Sequence, residues 1–157
     1  MDAAAPLLTT MTARQDRIAG RAPHAARVVL ALVVLGAVLA SVAVAATYPH
    51  AARAADPALT LLLRAMAVIK AGMAAGVIAA IFWRLGVAAT PVAVAAYAAV
   101  SAAMASGPIL IWGMTNLVFG AILLHAGLVL GVVMLWRDPA TTTRLKAVVA
   151  ARRLNRE

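Results

Sequence analysis

Long apolar runs alternate with short polar breaks along this chain, and the runs dominate. They cover 27–46, 59–83, 87–105 and 109–136, and each can reach the ~20 residues that carry a helix across ~30 Å of hydrocarbon. The pattern predicts an all-α bundle of four transmembrane helices. Pro49 and Pro57 mark helix ends around the break "TYPHAARAADPA", with Pro57 placed where a missing N–H costs least. Ser106-Gly107-Pro108 is too short for anything but a tight reversal, so the third and fourth helices are expected to be antiparallel neighbours.

The flanks differ from this core. Residues 1–26 are polar and basic, broken by Pro6, Gly20 and Pro23, and are expected to form a mobile tail. Residues 137–157 form a second basic tail. In it Thr143 is a candidate cap, and Leu145, Val148 and Val149 share a face, so the segment reads as a membrane-surface helix or a frayed tail.

Small residues suggest how the helices pack. The third run is mostly alanine, with Ala95, Ala99 and Ala103 in a small-xxx-small row, and is expected to be the most enclosed helix. Gly113, Gly120, Gly127 and Gly131 fall on one stripe of the fourth helix, and Gly72 and Gly76 on a stripe of the second. Glycine inside a helix costs about 1 kcal/mol against alanine, and close helix contact is a reason to retain it.

Composition places the chain in a membrane and limits its chemistry. It is 65% hydrophobic and 12% charged over 157 residues, where a soluble domain is roughly 45–50% apolar. With most of the chain in helices, no soluble catalytic module of ordinary size remains. The absence of cysteine removes disulfides, thiolate-bound zinc, iron–sulfur clusters and a thiol nucleophile. No glycine-rich phosphate loop, HExxH pair or paired intramembrane carboxylates occur, and Ser101 with His125 is a weak catalytic pairing. No metal site is expected.

Charge adds an orientation. The net charge is +9, but the cations gather in the tails: Arg14, Arg17, Arg21 and Arg27 in one, Arg137, Arg144, Lys146, Arg152, Arg153 and Arg156 in the other. That is the positive-inside pattern rather than a nucleic-acid surface. Both termini are expected in the cytoplasm and the protein in a bacterial inner membrane. Ala43-Val44-Ala45 and Ala52-Arg53-Ala54 resemble signal-peptide cleavage sites. The first apolar run is nevertheless longer than a signal sequence and is preceded by about 26 residues, so it is expected to be retained.

Besides Arg27 at the start of the first run and scattered serines and threonines, four polar side chains stand inside the apolar runs: Arg64, Lys70, Asn116 and His125. Arg64 is near enough to the outer end of its helix to snorkel. Lys70 is about 15 Å or more from either surface and needs a partner, a wet cavity or a shifted pKa. It lies opposite the Gly72/Gly76 stripe, beside Met66, Met73 and Val77. Asp2, Asp16, Asp56, Asp138 and Glu157 all fall in tails, loops or helix ends, so its acceptor is either a neutral internal group or part of another molecule. Measured from the cytoplasmic side, Lys70 and His125 lie at about 19 and 16 Å, and Arg64 and Asn116 at about 28 and 30 Å.

His125 has two readings. It is a hydrogen-bonding link between helices, or the axial ligand of a tetrapyrrole. For a bis-histidine site the remaining histidines, His24 and His50, lie in the tail and the outer loop, and Met66, Met73 and Met114 are the softer alternatives. The functional expectation is a non-catalytic accessory, assembly or stabilising subunit whose partners are the bilayer and other membrane subunits, with no obligatory cofactor and no nucleic acid. The alternatives are an electron-transfer or pigment subunit using His125 and a small proton-coupled carrier using Lys70.

Overall fold

Polar caps followed by proline start three of the helices. Asp56 precedes Pro57 and accepts from the Ala58 N–H at 2.7 Å, Thr90 precedes Pro91 and accepts from the Ala93 N–H at 3.3 Å, and Asp138 precedes Pro139 and accepts from the Ala140 N–H at 3.0 Å. In each case a side chain satisfies a free N–H while proline fixes φ for the first turn. The computed structural model describes residues 5–47 and 56–154. Its helices are α1 Ala5–Thr47, α2 Pro57–Arg84, α3 Pro91–Trp112, α4 Leu117–Arg137 and α5 Pro139–Leu154. Four helical segments, with α1 contributing from Pro23, are long and apolar enough to cross a membrane. Tyr48 and His50 of the outer loop lie outside the described residues.

The four apolar helices run alternately up and down. One end of the bundle, here the tail end, gathers Arg27 of α1, the end of α2, the start of α3 and the end of α4. The other is the far end. α3 is the enclosed element: half of its apolar window, 50%, is buried, against 11%, 17% and 22% for α1, α2 and α4. It packs on all three of them. Its buried stripe runs through Tyr97, Ala98, Ser101, Met104, Gly107 and Ile111. Ala95 and Ala99 of the expected alanine row are exposed instead. Both faces of this helix are apolar, so burial follows the larger area of Tyr97, Met104 and Ile111.

Several boundaries differ from the sequence expectation. α3 begins at Pro91 rather than 87 and continues through Gly107-Pro108 to Trp112, so Ser106-Gly107-Pro108 is helix and not the reversal. Proline removes one hydrogen-bond donor, and the glycine before it has no Cβ to clash with the proline ring. Burial of Pro108, Leu110 and Ile111 offsets that loss. The reversal falls at 113–116, where Met114 takes a positive φ of 53° and Asn116 caps α4 by accepting from the Phe119 N–H at 3.2 Å. α4 therefore starts at Leu117 and not at 109. Helix α1 extends back to Ala5 with Pro23 inside it, so residues 5–26 of the expected mobile tail are helical. Extending an established helix is cheap compared with nucleating one. The cap of α5 is Asp138 and not Thr143, whose hydroxyl donates to the Pro139 carbonyl at 2.9 Å.

Helices α3 and α4 are held in close contact by glycine on both sides. A Cβ added at Gly107 would lie 2.7 Å from the Gly120 carbonyl oxygen, and one at Gly120 would lie 2.9 Å from the Gly107 oxygen. Backbone therefore rests on backbone at this crossing. Gly120→Ala should lower stability by about 1–3 kcal/mol through overpacking, whereas Gly72→Ala, with nothing within 4 Å of the added carbon, should be neutral or stabilising by up to about 1 kcal/mol. Thermal unfolding of the two variants in detergent, followed by circular dichroism, separates these outcomes.

Candidate functional site

The best-defined polar site is at the tail end. Arg84 is the last residue of α2 and is buried, with 5% of its surface exposed. Its Nε donates to Asp138 Oδ2 at 2.6 Å, and the Tyr97 hydroxyl of α3 donates to the same oxygen at 3.0 Å. Asp138 Oδ1 meanwhile caps α5. One carboxylate thus joins α2, α3, α4 and α5. Burial opposes ionisation of Asp138, but the hydrogen bonds from Arg84, the Ala140 N–H and Tyr97, with the Arg84 charge, together hold its carboxyl below the usual value.

Arg27 of α1 reaches over the end of α2 beside this cluster. Its Nε donates to the Phe82 carbonyl at 3.1 Å and its guanidinium lies 5.0 Å from the centre of the Phe82 ring. Gly86 leaves the space that the guanidinium occupies, since a Cβ there would overlap Arg27 Nη2. A cation at a helix C-terminus meets free carbonyls and the negative end of the dipole.

The depth-matched pairs do not meet. Among the described residues Lys70 makes no hydrogen bond or ion pair, and it is half-buried. It shares the α2 stripe of Ala67, Ala74 and Ile81, which is buried chiefly against α3. Ala67 and Ala71 line a shallow groove with Pro108, whose missing N–H leaves the Met104 carbonyl without its helical donor. His125 points out of the bundle, and its Nδ1 lies 2.7 Å from the Ala121 carbonyl oxygen. Ser101 is fully buried in the core, so it does not face His125. At the far end the Arg64 guanidinium stacks on Trp112 at 5.2 Å, while Asn116 is occupied as the α4 cap.

The glycines divide into two groups. Gly120 meets Gly107, Gly127 meets Met104 and the Val100 carbonyl, and Gly131 meets Val77 and Val100. Gly113 is not in α4: it caps α3 and faces Ala45 of α1. A Cβ added at Gly72 or Gly76 would meet nothing within 4 Å among the described residues, and both lie in an open apolar seam between α2 and α4. The sequence reading set the glycine stripe of α2 against a neighbour and Lys70 on the opposite face, with its acceptor either internal or on another molecule. The register reverses this, because Ala67, Ala74 and Ile81 turn the Lys70 face toward α3.

Sequence reasoning missed the Arg84, Asp138 and Tyr97 cluster. The signal was present, since Arg84 is the only cation between Lys70 and Arg137, and Asp138 the only acid between Asp56 and Glu157. Fold and site together define an all-helical protein with four helices able to span a membrane. No protein-family model, curated protein or solved structure matches the chain.

The cluster predicts a pH dependence with a definite sign. Asp138 has its carboxyl pKa lowered in the folded chain, so its contribution is present above the ordinary carboxylate pKa and is lost as pH falls through the folded value. Asp138→Asn should lower stability near neutral pH by about 2–4 kcal/mol, because Arg84 is left buried without its counter-charge. Unfolding midpoints of wild type and variant should converge as the pH is lowered below the carboxylate range.

Proposed function

We propose that the chain is a non-catalytic accessory, assembly or stabilising subunit of a larger membrane complex, embedded in a bacterial inner membrane with both tails in the cytoplasm. The orientation rests on the cations of the two tails, which leave few on the opposite side. The observation that carries the functional reading is the unfilled α2/α4 seam. Every glycine of α4 has a neighbour in van der Waals range, while Gly72 and Gly76 of α2, spaced as small-xxx-small, face outward with none. Apolar side chains gain nothing by leaving lipid for a helix, so close backbone approach at such a pair is the available source of affinity.

Around the seam, Met73 is 56% and Val129 62% exposed, which gives a partner helix a continuous apolar wall on either side of the glycines. Lys70 carries less of this reading than its depth suggests, because its stripe faces α3. The orientation of His125 favours a second reading, in which this face also holds a cofactor.

Mild-detergent purification from the native membrane should recover the chain with defined partner subunits. Gly72→Leu and Gly76→Leu should insert normally, because the seam is open, and should weaken that association by about 1–3 kcal/mol through lost packing. Reporter fusions at both termini should read as cytoplasmic. Unchanged co-purification in both leucine variants would remove the seam as the docking surface.

A further inference from the structure

A second apolar groove lies on the other side of α2, between it and α1. Leu30, Ala31 and Val34 of α1 form one wall, and Ala75, Ala79 and Phe82 of α2 the other. Its volume is about 500 Å³, within the ~300–1,000 Å³ of small-molecule sites. Both helices pack on α3 and only slightly on each other, so the groove between them is left open.

The tail end of this groove is not apolar. There the Arg27 side chain crosses from α1 to α2, its Nε donating to the Phe82 carbonyl at 3.1 Å and its guanidinium 5.0 Å from the centre of the Phe82 ring. Arg27, Leu30, Ala31 and Val34 fall at i, i+3, i+4 and i+7 of α1, so the cation and the apolar wall share one face. Among the described residues no carboxylate pairs with Arg27, and its Nη groups have no hydrogen-bond partner. Trp83 and Trp136, 38% and 82% exposed, stand at the same end, and tryptophan collects at the headgroup level of a bilayer. Arg27 thus lies at headgroup level, and from it the groove runs about 10 Å toward the membrane centre, from Phe82 to Ala75.

The Arg27 crossing decides what can occupy the groove. A further spanning helix, about 10–12 Å across with its side chains, would have to pass the end where Arg27 bridges the two walls. A phospholipid has its charge where the bridge is and its chain where the groove is. Phosphate also suits the donors, because a guanidinium offers paired N–H groups to two phosphate oxygens, a charge-assisted contact roughly twice as strong as a neutral one. With no acid beside Arg27 to receive the cation of a zwitterionic headgroup, a headgroup of net negative charge is favoured.

We propose that the α1/α2 groove is a binding site for an anionic phospholipid, with one acyl chain against the groove walls and the headgroup phosphate held by the Nη groups of Arg27. The site requires only that the four apolar helices span a bilayer. It is independent of the α2/α4 seam and of which side the tails occupy.

Delipidated full-length protein in detergent is titrated with phosphatidylglycerol, with phosphatidylcholine of the same chains and with glycerol phosphate, and bound lipid is counted by native mass spectrometry. One saturable phosphatidylglycerol site is expected, about fivefold or more tighter than phosphatidylcholine. Glycerol phosphate should not displace the lipid, since it has no chain for the groove. Arg27→Gln should abolish the headgroup preference, and Ala79→Leu, which fills the groove from an exposed position, should weaken binding of both lipids. Arg137→Gln, which removes an exposed cation of the same end outside the groove, should leave the preference unchanged. Circular dichroism checks that each variant is folded; should Arg27→Gln unfold, Ala79→Leu and Arg137→Gln decide between them. No headgroup preference in wild type, unchanged lipid binding in Ala79→Leu, or equal loss of preference in Arg137→Gln overturns the proposal. Displacement by glycerol phosphate makes the site one for a free anion and overturns the lipid assignment.

Discussion

The backbone contact between Gly107 and Gly120 sets the spacing on which the other contacts depend. With a hypothetical Cβ on either glycine inside 3 Å of the opposite carbonyl oxygen, α3 and α4 approach as nearly as two helices can. That closeness seats Met104 against Gly127 and Val100 against Gly131, so α4 meets α3 from Gly120 to Gly131, over about three turns. It also commits α4 to α3. α2 then packs mainly on α3, touches α4 where Val77 meets Gly131, and leaves an open seam beside that contact.

The two ends of the bundle are fastened by different chemistry. At the tail end a buried ion pair does the joining, with Arg84 and Asp138 side chains 7% and 13% exposed. Such a pair recovers little net free energy once desolvation is counted, yet separating it is expensive. Its effect is to fix which helix ends lie together and where α5 departs. At the far end the Asp56 and Asn116 caps and the stacking of Arg64 on Trp112 serve instead, and the stacking contact needs no counter-ion.

How much of this was legible in the sequence depends on the kind of signal. The four apolar helices, the Pro57 start of α2 and the enclosure of α3 follow from run length, proline position and alanine content. Facing direction did not, because α2 and α3 are apolar all round and periodicity has nothing to discriminate. For that reason Ala95 and Ala99 are outside, and Gly72 and Gly76 look away from the bundle. Gly107-Pro108 reads locally as a turn, and only the burial of the residues after it shows that the helix persists. The tail-end cluster is long-range, joining residues 54 apart. It becomes visible once the helix ends are placed on a common side. His125 could be found as a lone polar residue, but its contact with the Ala121 carbonyl required coordinates.

The contacts of α1 bear on the order in which the chain is assembled. This helix packs on α3 and only slightly on α2, although α2 is made first. Only 11% of its apolar window is buried, and that window is the most apolar of the four. The main partner of α1 is therefore made only after α2, so the largest part of its packing waits until two further helices have been synthesised. Arg27 meets the end of α2 across the space left by Gly86, so this contact joins the two helices that are made first.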